Sequence, residues 1–524
     1  MKKITIFLFA VCVCILPVSA QASKEDMKEL QKFSQFYNYL TNAYIDTLNS
    51  SELVEAAIRN MLSELDPHSA YVSAEEMKSV EENFEANFEG IGIEFNILRD
   101  TIFILNTIVG GPAEQVGILP NDRIVNIDGI NAVGMKNTEV PKLVRGPRGT
   151  SVEVGITRRG VDSILSFRIV RDKIPINTID ANYRVNDSIG YIKINRFAAT
   201  TVNELIESLN DLEGVTSIIL DLRGNGGGFM DQGIEVSNQF LERGSLIVWM
   251  EGRAVKRQDF VAKKNPKYPT GKLIILVDEF SASSSEIVAG AVQDWDRGLI
   301  IGRRTFGKGT IQRQFTLVDG SAARITIARY HTPTGRVIQR PYEQGNRQNY
   351  YANFSRRIIS GEDIEQNDSI PYYTLRSSRI VYGGGGITPD IFVARDTTYF
   401  SDYRALLIRN GILNEYTVNY IDLNRNTILS RYPDFDDFEK NFVVDDTMTE
   451  ELIESGKNRG ISYDSYGFTK SGNEIKTQIK AMIAQRLWNS NEYYKITNKY
   501  LDPEFSKAVE VLENWSRYGE GIYF

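Results

Sequence analysis

The sequence predicts a multidomain protein of mixed α+β and α/β class: an N-terminal helical region, a small β-rich module, an α/β core and a mostly helical C-terminal extension. Three observations carry this. The chain has 524 residues, room for about three folded units at roughly 100–200 residues each. Its hydrophobic fraction of 42% and charged fraction of 24% are those of ordinary globular proteins, which excludes wholesale disorder, collagen-like repeats and a multi-span membrane protein. The apolar pattern also changes period along the chain, first in steps of three and four, then as short runs between turn residues, then as buried runs alternating with helical stretches.

Residues 1–20 open with Lys2 and Lys3, continue through an apolar run from Ile4 to Leu16 and close on Pro17-Val18-Ser19-Ala20, the layout of a secretory signal peptide. The run is too short for a comfortable span, which needs about 20 residues. Export to a periplasm is therefore expected, with membrane anchoring the lesser alternative. The only cysteines, Cys12 and Cys14, lie in this segment, so a processed chain has no thiol for a disulfide, a nucleophile or a metal site.

In the helical region 24–85, Met27, Leu30, Phe33, Tyr37, Leu40 and Tyr44 recur at helical spacing, as do Leu53, Val54, Ala57, Ile58, Met61, Leu62 and Leu65. The second helix is expected to stop near Asp66-Pro67, since proline disfavours helical geometry before it. Over 86–172, Gly-Gly-Pro, Asn-Asp and Asp-Gly punctuate short apolar runs, which predicts a small β module. Over 173–400, the runs Ile189–Ile194, Ser217–Leu222, Leu273–Val277 and Leu299–Ile301 alternate with helix-like stretches, the α/β pattern. Residues 401–524 are polar and aromatic, with helices predicted at Asn473–Leu487 and Pro503–Trp515.

Three segments carry chemistry. The run Leu273–Phe280 enters Ser281-Ala282-Ser283-Ser284-Ser285-Glu286-Ile287, a buried strand turning into a helix start, where free backbone N–H groups favour negative charge. Locally, Ser283 and Glu286 read first as a capping box, which is far commoner than a nucleophile. Next comes Gly302-Arg303-Arg304-Thr305-Phe306-Gly307-Lys308-Gly309. It mimics a phosphate loop, but Gly309 stands where Ser or Thr should hold magnesium, and a strand-like run follows instead of a helix, so a nucleotide is not expected. The third, Asp221-Leu222-Arg223-Gly224-Asn225-Gly226-Gly227-Gly228, ends a buried strand in a glycine-rich turn that can aim its amides at one spot.

Other schemes fall away. The two histidines, His68 and His331, sit in loop-like contexts, and Gly-x-Ser-x-Gly, His-Glu-x-x-His and Ser-x-x-Lys are absent from the sequence. A serine activated by a lysine from elsewhere in the fold remains open. A net charge of −8 argues against nucleic acid as a main partner.

Together, the serine segment, Thr305-Phe306-Gly307-Lys308-Gly309-Thr310-Ile311-Gln312 and the Asp221–Gly228 turn resemble the carboxy-terminal processing, or tail-specific, proteases. The likeness extends through Thr332-Pro333-Thr334-Gly335-Arg336 and Gly386-Ile387-Thr388-Pro389-Asp390, over roughly residues 30–400. It implies a serine endopeptidase with a Ser-Lys core at 173–400, in which Ser283 is the nucleophile, Lys308 the general base and Gln312 the residue orienting the lysine. Backbone amides of Gly227 and Ser284 would form the oxyanion hole, with Gly226 the alternative donor. Ser284 stands where the family more usually has alanine. Gly90-Ile91-Gly92-Ile93, followed by Gly111-Pro112-Ala113 and Asn121–Gly129, resembles a PDZ domain over 86–172, which would bind substrate C-termini. The implied partners are proteins or peptides with free C-termini, without cofactor, metal, nucleotide or nucleic acid. Self-association through the N-terminal helices or residues 401–524 is a family-level expectation. A non-catalytic PDZ adaptor with a degenerate hydrolase core, and a hydrolase of non-peptide substrates, are the alternatives.

Overall fold

The computed structural model describes residues 23–98, 100–108, 110–360 and 370–523. The expected signal peptide, 1–20, lies outside the described residues. No helix among the described residues is long and apolar enough to cross a membrane. The chain divides into two compact units, one ending at Leu62 and one beginning at Ser63.

The first unit holds the helix Lys24–Ala43 and all but the last residue of the helix Ser50–Ser63. Ser23 and Asp26 form a reciprocal capping box that starts the first of them.

In the second unit, the β-rich module is a sheet in the order Ile93–Leu98, Thr101–Thr107, Arg123–Ile127, Ser151–Thr157, Leu165–Val170. Alternate residues point inward, and Ile91, Ile102, Ile104, Ile124, Val152 and Val154 fill its core. Ile93–Leu98 is the edge strand, paired only with Thr101–Thr107 among the described residues. The chain enters through Asn87–Gly90 and leaves through Asp172–Pro175, and these two segments pair antiparallel as a stalk.

The α/β core is a six-stranded sheet in the order Ile179–Arg184, Ile189–Ile194, Ser217–Asp221, Lys272–Val277, Leu299–Gly302, Ile391–Phe392. The first pair is antiparallel and the other four pairs are parallel. Its central strands are mostly apolar because both faces are covered. Thr201–Asp211, Met230–Asn238 and Ser284–Asp294 cover one face. The other is covered from the far end of the sequence, by Phe505, Ala508, Val511, Leu512 and Trp515 against Tyr191, Ile219, Ile274 and Leu276. The helix Pro503–Glu513 thus belongs to the core's packing, although the sequence reading closed the core at residue 400. Local periodicity does not show which distant surface a helix covers.

A second sheet joins Ala70–Val72, Ala322–His331, Leu246–Gly252 and Val255–Val261, with Thr310–Thr316 also paired to Ala322–His331. The helices from Asp402–Arg409 to Ser490–Leu501 form a bundle with its own apolar core. That bundle meets the β-rich module at Phe103 and Val418 and through Arg123–Asp422, 2.9 Å.

Candidate active site

The site lies where three strands of the core sheet end, the usual place for chemistry in open parallel sheets. Beyond Lys272–Val277, the Asp278 carboxylate ties two loops together. Its Oδ1 accepts from the N–H groups of Gly224 (2.9 Å), Phe280 (3.0 Å) and Ser281 (3.1 Å). The chain then makes one sharp corner at Ser283, φ +57°, ψ −113°, a left-handed conformation that costs a non-glycine residue of order 1–3 kcal/mol. The helix Ser284–Asp294 starts immediately after it.

Glu286, fully buried, holds this corner. Its Oε2 accepts from Ser283 N–H and Lys308 N–H, each 2.9 Å, and its Oε1 from Gly307 N–H, 2.7 Å, and from the Thr305 hydroxyl. One carboxylate therefore bonds to the serine corner and to the lysine loop. Burial raises its pKa, and these four donors oppose the rise. Gly307 lets the lysine loop come this close: at φ +86°, a Cβ would lie 2.9 Å from the Gly385 carbonyl carbon.

Ser283, Lys308 and Gln312 line one cavity of about 480 Å³, with Val80, Phe84, Phe229, Met230, Ile287 and Arg324 among its other walls. The neighbouring serines are otherwise engaged. The Ser281 hydroxyl donates to Leu222 O (2.8 Å), that of Ser284 to Phe229 O (3.0 Å), and that of Ser285 to Asn225 O (2.9 Å). Burial lowers the Lys308 pKa, helped by the Arg324 charge and opposed by Glu286 and Asp66. The amine form is thereby favoured.

Comparison with known proteins relates the chain to a protease family. A family model described as Peptidase family S41 matches residues 188–344, a PDZ domain model 103–158, and a model of the activating protease CtpB N-terminal domain 15–76. Residues 403–489 match a family of unknown function, DUF8443. The carboxy-terminal processing protease CtpA of Bacillus subtilis is 37% identical, over 61% of this chain and 68% of its own. The carboxy-terminal-processing protease of Bartonella bacilliformis is 35% identical, over 62% of this chain and 75% of its own. A solved photosystem II D1 C-terminal processing protease is 28% identical, covering 60% of this chain and 90% of its own at a TM-score of 0.34. The chain belongs to the carboxy-terminal processing protease family.

The glycine turn of this family member presses on the serine corner. Gly227, φ +95°, has its Cβ direction 2.7 Å from Ser283 Cβ and 3.0 Å from Ser284 N, so only glycine fits there. Its N–H donates to Asn225 Oδ1, 2.9 Å. Gly226 has open space where a Cβ would be, and Gly228 lines the cavity.

Several site residues lay outside the sequence reading. Asp66, in Asp66-Pro67-His68-Ser69, accepts from the Thr326 hydroxyl at 3.0 Å. Thr326 Oγ1 in turn accepts from Gln312 Nε2 at 3.2 Å, and Thr310 Oγ1 does so at 2.9 Å. Because Thr326 spends its proton on Asp66, Gln312 must present N–H to it, which leaves Gln312 Oε1 as the acceptor. The local sign was a proline-containing turn with an Asp side chain placed to bond the amides after it. Its partner, more than 250 residues away, gave none.

Arg223, beside the glycine turn, donates to Asp221 (2.6 Å), Asp502 (2.6 Å) and Glu504 (3.2 Å). Arg303, beside the lysine loop, bonds Glu279 at 3.0 Å and also pairs with Glu504. The start of helix Pro503–Glu513 therefore braces both loops.

In the PDZ domain, Gly90 ends the stalk strand opposite Asp172, Ile91 O accepts from Ala113 N–H (2.8 Å) and Gly92 O from Ile108 N–H (2.9 Å), and Ile93 begins the edge strand opposite Thr107. Arg145 lies on the Phe88 ring, 4.3 Å from its centroid, and pairs with Glu82 at 2.7 Å. Glu82 belongs to Ala74–Glu85, the helix whose Val80 and Phe84 wall the cavity beside Ser283.

The histidines lie apart from one another. His331 stacks on Trp249 at 3.7 Å. His68 packs edge-on to Tyr350, and its pKa is pushed from 6.5 down to about 4 by burial and then by the Lys308 charge, against Asp66. Between these two values the unfolded chain binds a proton that the folded chain refuses, so His68 makes stability rise with pH across that window. Urea unfolding should show wild type losing about 3 kcal/mol relative to His68→Gln as pH falls from 6.5 to 4. A difference that stays constant with pH would contradict the neutral, buried imidazole.

Proposed function

We propose that this chain is an exported serine endopeptidase that cuts protein substrates near their C-termini, with Ser283 as nucleophile, Lys308 as general base and the PDZ domain gripping the substrate tail. The observation that carries the reading is the single buried carboxylate of Glu286, which accepts from the backbone of both Ser283 and Lys308 beside a shared cavity.

The steps follow from that arrangement. Lys308, neutral, takes the Ser283 hydroxyl proton as Oγ attacks the scissile carbonyl, while Gln312 Oε1 holds an amine N–H so that the lone pair faces the serine. The oxyanion takes the Ser284 N–H at the helix start. It also takes the Gly227 N–H in place of Asn225 Oδ1, because a charged acceptor outcompetes an amide. Lys308 then returns the proton to the leaving amine and, neutral again, takes a proton from the water that attacks the acyl-enzyme and gives it to Ser283 Oγ as the acyl–oxygen bond breaks. The substrate's terminal carboxylate lies on the amides of the Gly90–Ile93 turn, with the preceding residues added as a strand beside Ile93–Leu98. Arg145 and Glu82 give that occupancy a contact with the helix walling the cavity. The layout of residues 1–20 supports export.

Ser283→Ala and Lys308→Ala should each abolish cleavage of an unstructured polypeptide, a loss of at least about 10³-fold with folding retained. In wild type, kcat/KM should rise with pH through one ionisation below the 10.5 of an ordinary lysine, since burial lowers the Lys308 pKa and the deprotonated form is active. Full activity in either variant, or a profile abolished by replacing His331, would contradict the dyad.

A peptide with a free apolar C-terminus should be cut about 10- to 100-fold more efficiently than its amide, because amidation removes the charge that the turn solvates. Equal rates would show that the PDZ domain does not select by the terminus.

A further inference from the structure

Several arginines around the core are matched by carboxylates, and Arg324, in the cavity beside Ser283, is not. Arg223, Arg303, Arg336 and Arg379 each have an acidic partner. Arg324 makes no ion pair among the described residues. Its one hydrogen bond runs from Nε to Gln314 Oε1 at 3.3 Å, and its guanidinium carbon lies 5.5 Å from the centroid of the Phe84 ring. It is half-buried in the wall that also carries Lys308, Gln312 and Gln314, facing the space beside Ser283. The register explains the placement: Arg324 lies opposite Gln314 and Thr326 opposite Gln312, so these four share one face of the sheet. On the opposite wall Val80 and Phe84 are apolar, and Glu81 and Glu85, which also line the cavity, form no ion pair with Arg324.

A guanidinium half-withdrawn from water, with its forked N–H groups unmatched by an acceptor of opposite charge, is a receptor for a carboxylate. We propose that Arg324 binds a carboxylate of the polypeptide lying in the cleft, from an acidic side chain close to the scissile bond or from the chain terminus when the cut falls close to it. This rests on the peptidase reading for its substrate, a polypeptide, but not on the roles of Ser283 and Lys308. Burial also lowers the Arg324 pKa, the direction expected of a cation whose partner arrives with the ligand. An alternative task, pushing protons off Lys308 by charge alone, would affect every substrate alike.

The test uses the full chain and a set of peptides identical except for Glu or Gln at each position within about four residues of the cut, each made as free acid and as amide. Rates are measured with wild type, Arg324→Gln and Arg324→Lys, and binding of the same peptides is measured by fluorescence anisotropy with Ser283→Ala and with Ser283→Ala/Arg324→Gln. We expect wild type to favour Glu over Gln about tenfold or more at one position, Arg324→Gln to bring the ratio within twofold, and Arg324→Lys to keep part of it. If instead the free-acid preference of the peptides cut nearest their end collapses in Arg324→Gln, the carboxylate comes from the terminus and the assignment stands. A Glu preference in binding without any turnover would keep the assignment and reject the peptidase. Ratios that are the same with and without Arg324, in rate and in binding, would overturn it, whatever Arg324→Gln does to the pH profile.

Discussion

The Glu286 carboxylate is the interaction on which the serine corner and the lysine loop depend. Placing an ionised carboxylate out of reach of water is unfavourable unless hydrogen bonds replace the lost solvent. Here four donors do so, the N–H groups of Ser283, Gly307 and Lys308 and the Thr305 hydroxyl. The donors come from two loops that leave the sheet on neighbouring strands, Lys272–Val277 and Leu299–Gly302. Moving either loop strands buried donors at about 1–3 kcal/mol each, so the serine corner and the lysine loop keep one spacing. The left-handed backbone at Ser283 persists because this carboxylate and the glycine turn fix it from both sides.

Around that centre the chain closes by contacts between distant segments. Glu504 and Asp502 brace the arginines flanking the glycine turn and the lysine loop, while Phe505 and its neighbours cover the sheet beneath them. Removing one member of such a set leaves a buried charge without its partner, which is costly even where the intact set adds little stability. The PDZ domain is held at two places, by its stalk with Arg145 on Glu82 and by Arg123 on Asp422 of the helical bundle. The PDZ domain thus touches both the helix Ala74–Glu85, which walls the cavity, and the C-terminal helices.

What the sequence disclosed follows from the range of the interactions. The buried strands of the core, the glycine turn and the serine-to-helix corner are written in consecutive residues, and they were legible. The two local readings of Ser283, helix cap and nucleophile, are not exclusive: Glu286 caps the helix through Ser283 N–H and, with the same oxygen, accepts from Lys308 N–H. Asp66 was legible only as the end of a helix before proline, because its bond to Thr326 joins residues 260 apart in the chain. Likewise the helix Pro503–Glu513 was anticipated as a helix but not as the cover of the core sheet, since amphipathic spacing shows that a face is apolar and not what it meets. Nothing in the sequence singles out Arg324; its register beside Gln314 and the lack of an ion pair to it among the described residues distinguish it.

The claim that one buried carboxylate sets the serine–lysine geometry is tested most directly by Glu286→Gln, an exchange that keeps volume but puts an NH2 group where an oxygen accepted backbone N–H. Steady-state kinetics on a single polypeptide substrate should show kcat reduced by about 100-fold or more with KM little changed, the signature of lost transition-state geometry, in protein that still folds. A kcat within about twofold of wild type would show that the serine corner and the lysine loop hold their positions without Glu286, and would contradict the account.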